Sequence, residues 1–145
     1  MISAADILSA RILVVDDDRE ALGLLEQLLT GAGYNSVATT SEPRSVLGMH
    51  RERDFDAILL DVAMPGMDGF EVMEALKTIE REGYLPVLAL TGESGHRTQA
   101  LRFGAKDFLR KPFDAEELLL RVRNLVEVRL LYKDRAVAAA IATAA

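Results

Sequence analysis

Five polar side chains stand at or just beyond the ends of short segments that read as strands, and their types define a chemistry. Asp16 and Asp17 follow residues 12–15, Asp61 follows residues 57–60, Thr91 follows residues 87–90, and Lys111 follows residues 106–110. Carboxylates gathered at one place repel each other, by roughly 4 kcal/mol for two unit charges about 4 Å apart at an effective dielectric near 20. Such a cluster demands a cation. An all-oxygen donor set suits Mg²⁺, which takes one or two carboxylates, waters and a phosphoryl oxygen. A carboxylate can also be the nucleophile that forms an aspartyl phosphate. Transfer then needs positioning and neutralisation of the equatorial phosphoryl oxygens. Mg²⁺ would serve one oxygen, the Lys111 ammonium a second, and the Thr91 hydroxyl with backbone N–H groups a third. Gly92, lacking a side chain, leaves room for the incoming group. No Ser/His/Asp set and no glycine-rich phosphate loop competes for the role.

These residues share a site only if the elements before them lie side by side. The apolar pattern alternates between short continuous runs and stretches of helical period. Residues 12–15, 57–60 and 87–90 read as strands buried on both faces. Weaker strands are expected over residues 34–40 and 106–110. Helices are expected after each. The first is capped by Asp18, carries Leu22, Leu25, Leu28 and Leu29 on one stripe, and is ended by Gly31 and Gly33. The second lies around residues 43–50, with Pro43 in its first turn. The third carries Phe70, Met73, Leu76 and Ile79 inward and stops near Gly83. The fourth covers residues 97–103 and is closed by Gly104. The fifth is capped by Asp114 and runs from about Ala115 past Leu131. Five strand-then-helix units require crossovers, hence an α/β fold with a doubly wound five-stranded parallel sheet and helices on both faces. Ligands of such sheets bind outside the carboxyl ends of the strands, where all five polar residues stand.

Composition narrows the function classes. The 145 residues suit one domain. A net charge of −6 argues against direct nucleic-acid binding, which rests on basic surface. With no cysteine and only His50 and His96, neither a disulfide framework nor a Cys/His metal site is expected. No apolar run reaches the roughly 20 residues of a membrane span, and no secretory signal opens the chain. The expectation is a cytoplasmic protein without membrane contact.

Four blocks in order closely resemble the receiver domain of two-component response regulators: residues 12–18 (ILVVDDD), 59–69 (LLDVAMPGMDG), 90–92 (LTG) and 108–113 (FLRKPF). The likeness covers residues 11–131. It implies the flavodoxin-like strand order 2-1-3-4-5 and a signalling switch rather than an enzyme of independent turnover. By position, Asp61 resembles the phosphoacceptor. Asp17 and Asp61 resemble direct Mg²⁺ ligands, Asp16 a ligand through water, and the Ala63 carbonyl the remaining protein ligand. Thr91 and Phe108 resemble the switch pair, in which the hydroxyl moves to the phosphoryl oxygen and the ring turns inward behind it. Gly92, where alanine is common in the family, and Lys111 resemble the phosphate-binding positions, and a cis bond between Lys111 and Pro112 is common there. The resemblance implies a histidine kinase or phosphotransfer protein as donor. It also implies a face built from helix four, strand five and helix five of the units that controls dimerisation or an output partner.

The same residues have plainer readings. Asp18 is a helix cap, Phe108 can be core, and Thr91 or Lys111 alone would be an ordinary strand-end residue or a surface lysine; the set of carboxylates is what favours a site. One rival is a Mg²⁺-dependent phosphatase of the haloacid-dehalogenase type, which needs a second Asp two positions after the nucleophile, where this chain has Ala63. Another is an interaction module that works without phosphorylation. In the last helix the apolar residues Leu118, Leu119, Leu120, Val122, Leu125, Val126, Val128, Leu130 and Leu131 cover more than one face. The surplus predicts a second contact, with a homodimer partner or an output domain. Residues 121–134 are similar to the linker helix of HD-GYP-type response regulators. Three segments are therefore expected: a lead-in over residues 1–10, a receiver domain over 11–131, and an extension with an Ala-rich tail over 132–145.

Overall fold

The computed structural model describes residues 1–62, 69–80, 84–92 and 96–144. Five parallel strands form one sheet: β1 (Arg11–Val15), β2 (Ser36–Thr40), β3 (Ala57–Asp61), β4 (Val87–Thr91) and β5 (Asp107–Arg110). They lie in the order β2-β1-β3-β4-β5, and every neighbouring pair is parallel. Six α-helices are described: α1 (Ala4–Leu8), α2 (Arg19–Gly31), α3 (Val46–Arg53), α4 (Gly69–Lys77), α5 (His96–Arg102) and α6 (Ala115–Ala144). This is the doubly wound α/β fold and strand order expected.

Strand alternation divides the core between the two faces. On one face Ile12, Val14, Leu59, Leu88, Leu90 and Leu109 meet Leu25 and Leu29 of α2 and Leu118, Val122 and Val126 of α6. On the other, Leu13, Val15, Ile58, Leu60 and Ala89 meet Val46 of α3, Val72, Met73 and Leu76 of α4, and Ala100 of α5. The central strands β3 and β4 are buried along their whole length, so their apolar side chains hold the sheet while the polar residues at their ends project from it.

Several boundaries differ from the sequence reading. The lead-in contains a helix: Ser3 and Asp6 form a reciprocal capping box at the start of α1, and Ile7 and Ala10 are buried in the first core layer. Strand β2 begins at Ser36 rather than Tyr34, because Tyr34 donates its N–H to Leu29 as the closing bond of α2. Helix α4 ends at Lys77, well before Gly83. The N–H groups of Thr78 and Ile79 bond back three residues, to Ala75 and Leu76, and the Thr78 hydroxyl donates to the Ala75 carbonyl at 2.6 Å. That tightened turn closes the helix. Pro43 opens a short 3₁₀ turn (Pro43–Ser45) ahead of α3. At the end of α5, Gly104 takes a φ of 105°. In that geometry its N–H reaches Leu101 and the next N–H reaches Ala100, which turns the chain into β5.

Candidate functional site

Sheet register sets the height of each polar group. Val15 lies opposite Leu60, Asp61 opposite Leu90, and Thr91 opposite Arg110. Asp16, Asp17, Asp61, Thr91 and Lys111 therefore sit within about one residue of the same sheet edge. Beyond β4 and β5 the register continues through the Lys111 N–H, which donates to the Thr91 carbonyl at 2.7 Å. Lys111 and Pro112 are joined by a cis peptide bond.

One carboxylate oxygen from each of Asp16, Asp17 and Asp61 falls within a mutual span of 4.8 Å. Asp16 and Asp61 are buried and Asp17 is exposed, so the cluster has an interior side and a solvent side. Asp16 is oriented by its backbone surroundings: its Oδ1 accepts the Asp18 N–H at 3.0 Å, and its own N–H donates to the Thr40 carbonyl. Its other oxygen accepts from Lys111 Nζ at 3.0 Å, and that ammonium lies 3.7 Å from Asp61. Partial burial disfavours the charged lysine, but the hydrogen bond to Asp16 and the charges of Asp61 and Asp16 outweigh it and raise the Lys111 pKa. Among the described residues, one ammonium, Lys111, lies against this group of three carboxylates, in contact with Asp16 and Asp61. The all-oxygen donor set and its spacing fit a hard divalent cation such as Mg²⁺.

Thr91 is buried beside Asp61 on the neighbouring strand. Phe108 lies opposite Ala89, two residues before Thr91, so Phe108, Ala89 and Thr91 direct their side chains to the same face of the sheet. The ring is half-buried against the second core layer. Gly92 is exposed, and a β-carbon added there would meet nothing within 4 Å; the space beside it is open. Asp18 serves as the cap of α2, accepting the Glu20 N–H at 3.0 Å. The carbonyl of Ala63, expected as a ligand, lies outside the described residues.

Gly69 is a positioning residue that the sequence reading gave no role beyond closing the 59–69 block. A β-carbon there would stand 2.5 Å from Val62 Cα and 2.9 Å from the carbonyl oxygen of Asp61. Its N–H points at the Val62 carbonyl at 3.4 Å. The start of α4 thus presses on the backbone that carries Asp61, an approach only glycine permits. The pattern Asp68-Gly69 ahead of a helical stripe was the available signal, but it reads equally well as an ordinary turn.

Residues 12–123 match the family model of the response regulator receiver domain. The response regulator PleD of Caulobacter vibrioides is 45% identical over 126 residues, which are 86% of this chain and 28% of PleD. Among solved structures, the chemotaxis protein CheY4 of Vibrio cholerae is 33% identical, with a TM-score of 0.74 over 81% of this chain and 98% of CheY4. The receiver domain of the sensor histidine kinase PA1611 of Pseudomonas aeruginosa is 27% identical, with a TM-score of 0.75 over 82% of this chain and 98% of that one, and it carries a magnesium ion coordinated in its active-site cleft. This chain belongs to the response regulator receiver domain family, a family of signalling domains. It spans little more than a quarter of the length of PleD. Among the described residues no helix is long and apolar enough to cross a membrane.

Proposed function

We propose that this domain takes a phosphoryl group onto Asp61, from a histidine kinase or a phosphotransfer protein, and changes its binding surface in response. The observation that carries the proposal is the juxtaposition of three carboxylates with one ammonium, Lys111, at 3.0 Å from Asp16 and 3.7 Å from Asp61. Asp16, Asp17 and Asp61 would hold Mg²⁺, with the Ala63 carbonyl as the fourth protein ligand; the ion would supply positive charge to a phosphoryl oxygen. Asp61 is the nucleophile: its carboxylate oxygen forms the new bond to phosphorus, and the bond to the donor nitrogen breaks with its electron pair leaving on the imidazole, which takes up a proton. Lys111 neutralises a second phosphoryl oxygen, and the Thr91 hydroxyl donates to a third. The open space at Gly92 admits the group.

In this reading Thr91 and Phe108 couple the phosphoryl group to the face formed by α5, β5 and α6. The exposed Leu120, Val128 and Leu131 of α6 are the residues through which that face would meet a second copy or an output domain. The domain proper spans residues 11–131, and α6 continues from it as a connecting helix.

The direct test is intact mass after incubation with acetyl phosphate, with and without Mg²⁺, on this chain and on Asp61→Asn. The expected result is a Mg²⁺-dependent gain of one phosphoryl group that the variant lacks. A folded chain that gains no mass, or an Asp61→Asn variant that gains as much, would overturn the assignment.

A further inference from the structure

Phe108 does not pack only on protein interior. The guanidinium carbon of Arg97 lies 4.6 Å from the centroid of its ring, within the distance at which a cation is attracted to an aromatic face. A planar guanidinium is well suited to cover a ring this way. Arg97 stands in the first turn of α5 and is exposed. That helix is held to the sheet by Ala100, which is fully buried, and its end is closed through Gly104. Packing of α5 therefore does not call for an arginine at this place. The contact's evident partner is the ring.

The position of that ring matters because Ala89, directly opposite it, presents only a methyl group on the face that Phe108 and Thr91 share. In the coupling proposed above the ring moves along this face toward the strand end, and a ring so moved would leave the guanidinium. The two interactions oppose each other: Arg97 favours the ring where this structure has it, and a displaced Thr91 would favour the ring elsewhere.

We propose that Arg97 is a positioning residue that latches Phe108 in its resting place and so sets how readily Asp61 is phosphorylated. The proposal rests on the reading of Thr91 and Phe108 as coupled to Asp61. A ligand or modification that favours the displaced ring must overcome the latch, so the latch lowers the population of the responsive state in the unmodified chain. An exposed cation–π contact corresponds to about a two- to five-fold bias between the two ring positions.

The test uses Arg97→Met, which keeps the length of the side chain and removes its charge. The chain is labelled with fluorophenylalanine, and the Phe108 resonance is identified by its loss in Phe108→Leu. Two quantities are read: the rate of phosphorylation by acetyl phosphate with Mg²⁺, and the fluorine resonance of Phe108 before and after phosphorylation. Arg97→Met should raise the rate about two- to five-fold and move the unmodified resonance toward its phosphorylated position. In the Phe108→Leu background the same substitution should change the rate no further, which separates the ring contact from any general effect of charge. An unmoved resonance, a rate that is unchanged or slower, or an equal acceleration without the ring would each overturn the latch. A parent chain that gains no phosphoryl group would instead overturn the Asp61 reading on which the latch rests, so the two failures are distinguishable.

Discussion

The two ends of the sheet each gather three carboxylates, and they are treated oppositely. At the carboxyl end, among the described residues, Asp16, Asp17 and Asp61 have one ammonium, Lys111, among them. At the amino end, Asp54, Asp56 and Glu80 are matched by two cations of α6. Arg129, with no exposed surface, lies 2.7 Å from Glu80 and 3.2 Å from Asp54. It also donates to the Tyr84 and Phe55 carbonyls. Lys133 lies 2.7 Å from Asp56 and 3.0 Å from Asp54, and His50 stands 3.5 Å from Glu80. The Asp56 carboxylate also accepts the Arg11 N–H at the start of β1. The amino end is the more nearly closed, with two cations against three carboxylates, and it fastens a helix to the sheet. The carboxyl end is the more open: among the described residues one ammonium, Lys111, lies against its three carboxylates.

This contrast can be broken experimentally. The largest expected effect is at the closed end. Arg129→Ala leaves Asp54 and Glu80 without their buried partner and should destabilise the fold by about 3–5 kcal/mol, measured by urea denaturation; a loss below about 1 kcal/mol would mean that the clasp is not what holds α6. At the open end, Gly69→Ala forces a β-carbon against Val62 and should cost about 1–3 kcal/mol, and it should slow phosphorylation of Asp61 more than an equally destabilising change elsewhere. Mg²⁺ at ten times its dissociation constant should stabilise the unsubstituted chain by about 1.4 kcal/mol, seen as a rise in Tm that Asp17→Asn diminishes. Asp61→Asn should itself raise stability in the absence of Mg²⁺, by about 1 kcal/mol, because it removes one of the mutually repelling charges; a decrease would show that the cluster is not under electrostatic stress.

The smallest effect concerns pH. Burial opposes the charged form of Lys133, but the bonds and charges of Asp56 and Asp54 raise its pKa, just as Asp16 and Asp61 raise that of Lys111. A lysine raised in the folded state contributes stability that is complete below the ordinary value of 10.5 and is lost as pH climbs through the raised value. Urea midpoints should therefore fall on the alkaline side of that value, and Lys111→Met and Lys133→Met should each flatten the fall.

The open end was legible in the sequence because its residues terminate strands, and strand ends are marked by the switch from apolar to polar. Order along the chain then places them on one edge. The closed end was not legible. Arg129 follows Val122, Leu125 and Val126 on the inward stripe of α6, where periodicity calls for an apolar residue and charge calls for solvent. What settles the conflict is Asp54, 75 residues away, and Glu80, 49 residues away, and no local pattern announces either. Helix α1 was missed for a different reason: five residues carry too little periodicity, although the Ser3 and Asp6 spacing of a capping box was there to be read. The early end of α4 depended on Thr78 bonding back to its own helix, a choice that composition leaves open.

Because Arg129 and Lys133 fix both the height and the rotation of α6, the stretch to Ala144 behaves as a shaft keyed to the body. Each residue of an α-helix advances it about 1.5 Å and turns it about 100°. One residue inserted after Lys133 would swing everything beyond it through roughly that angle, whereas seven would restore the original bearing to within about 20°. The rotational phase of this shaft is thus as much a part of the domain's structure as any side chain at the carboxyl edge of its sheet.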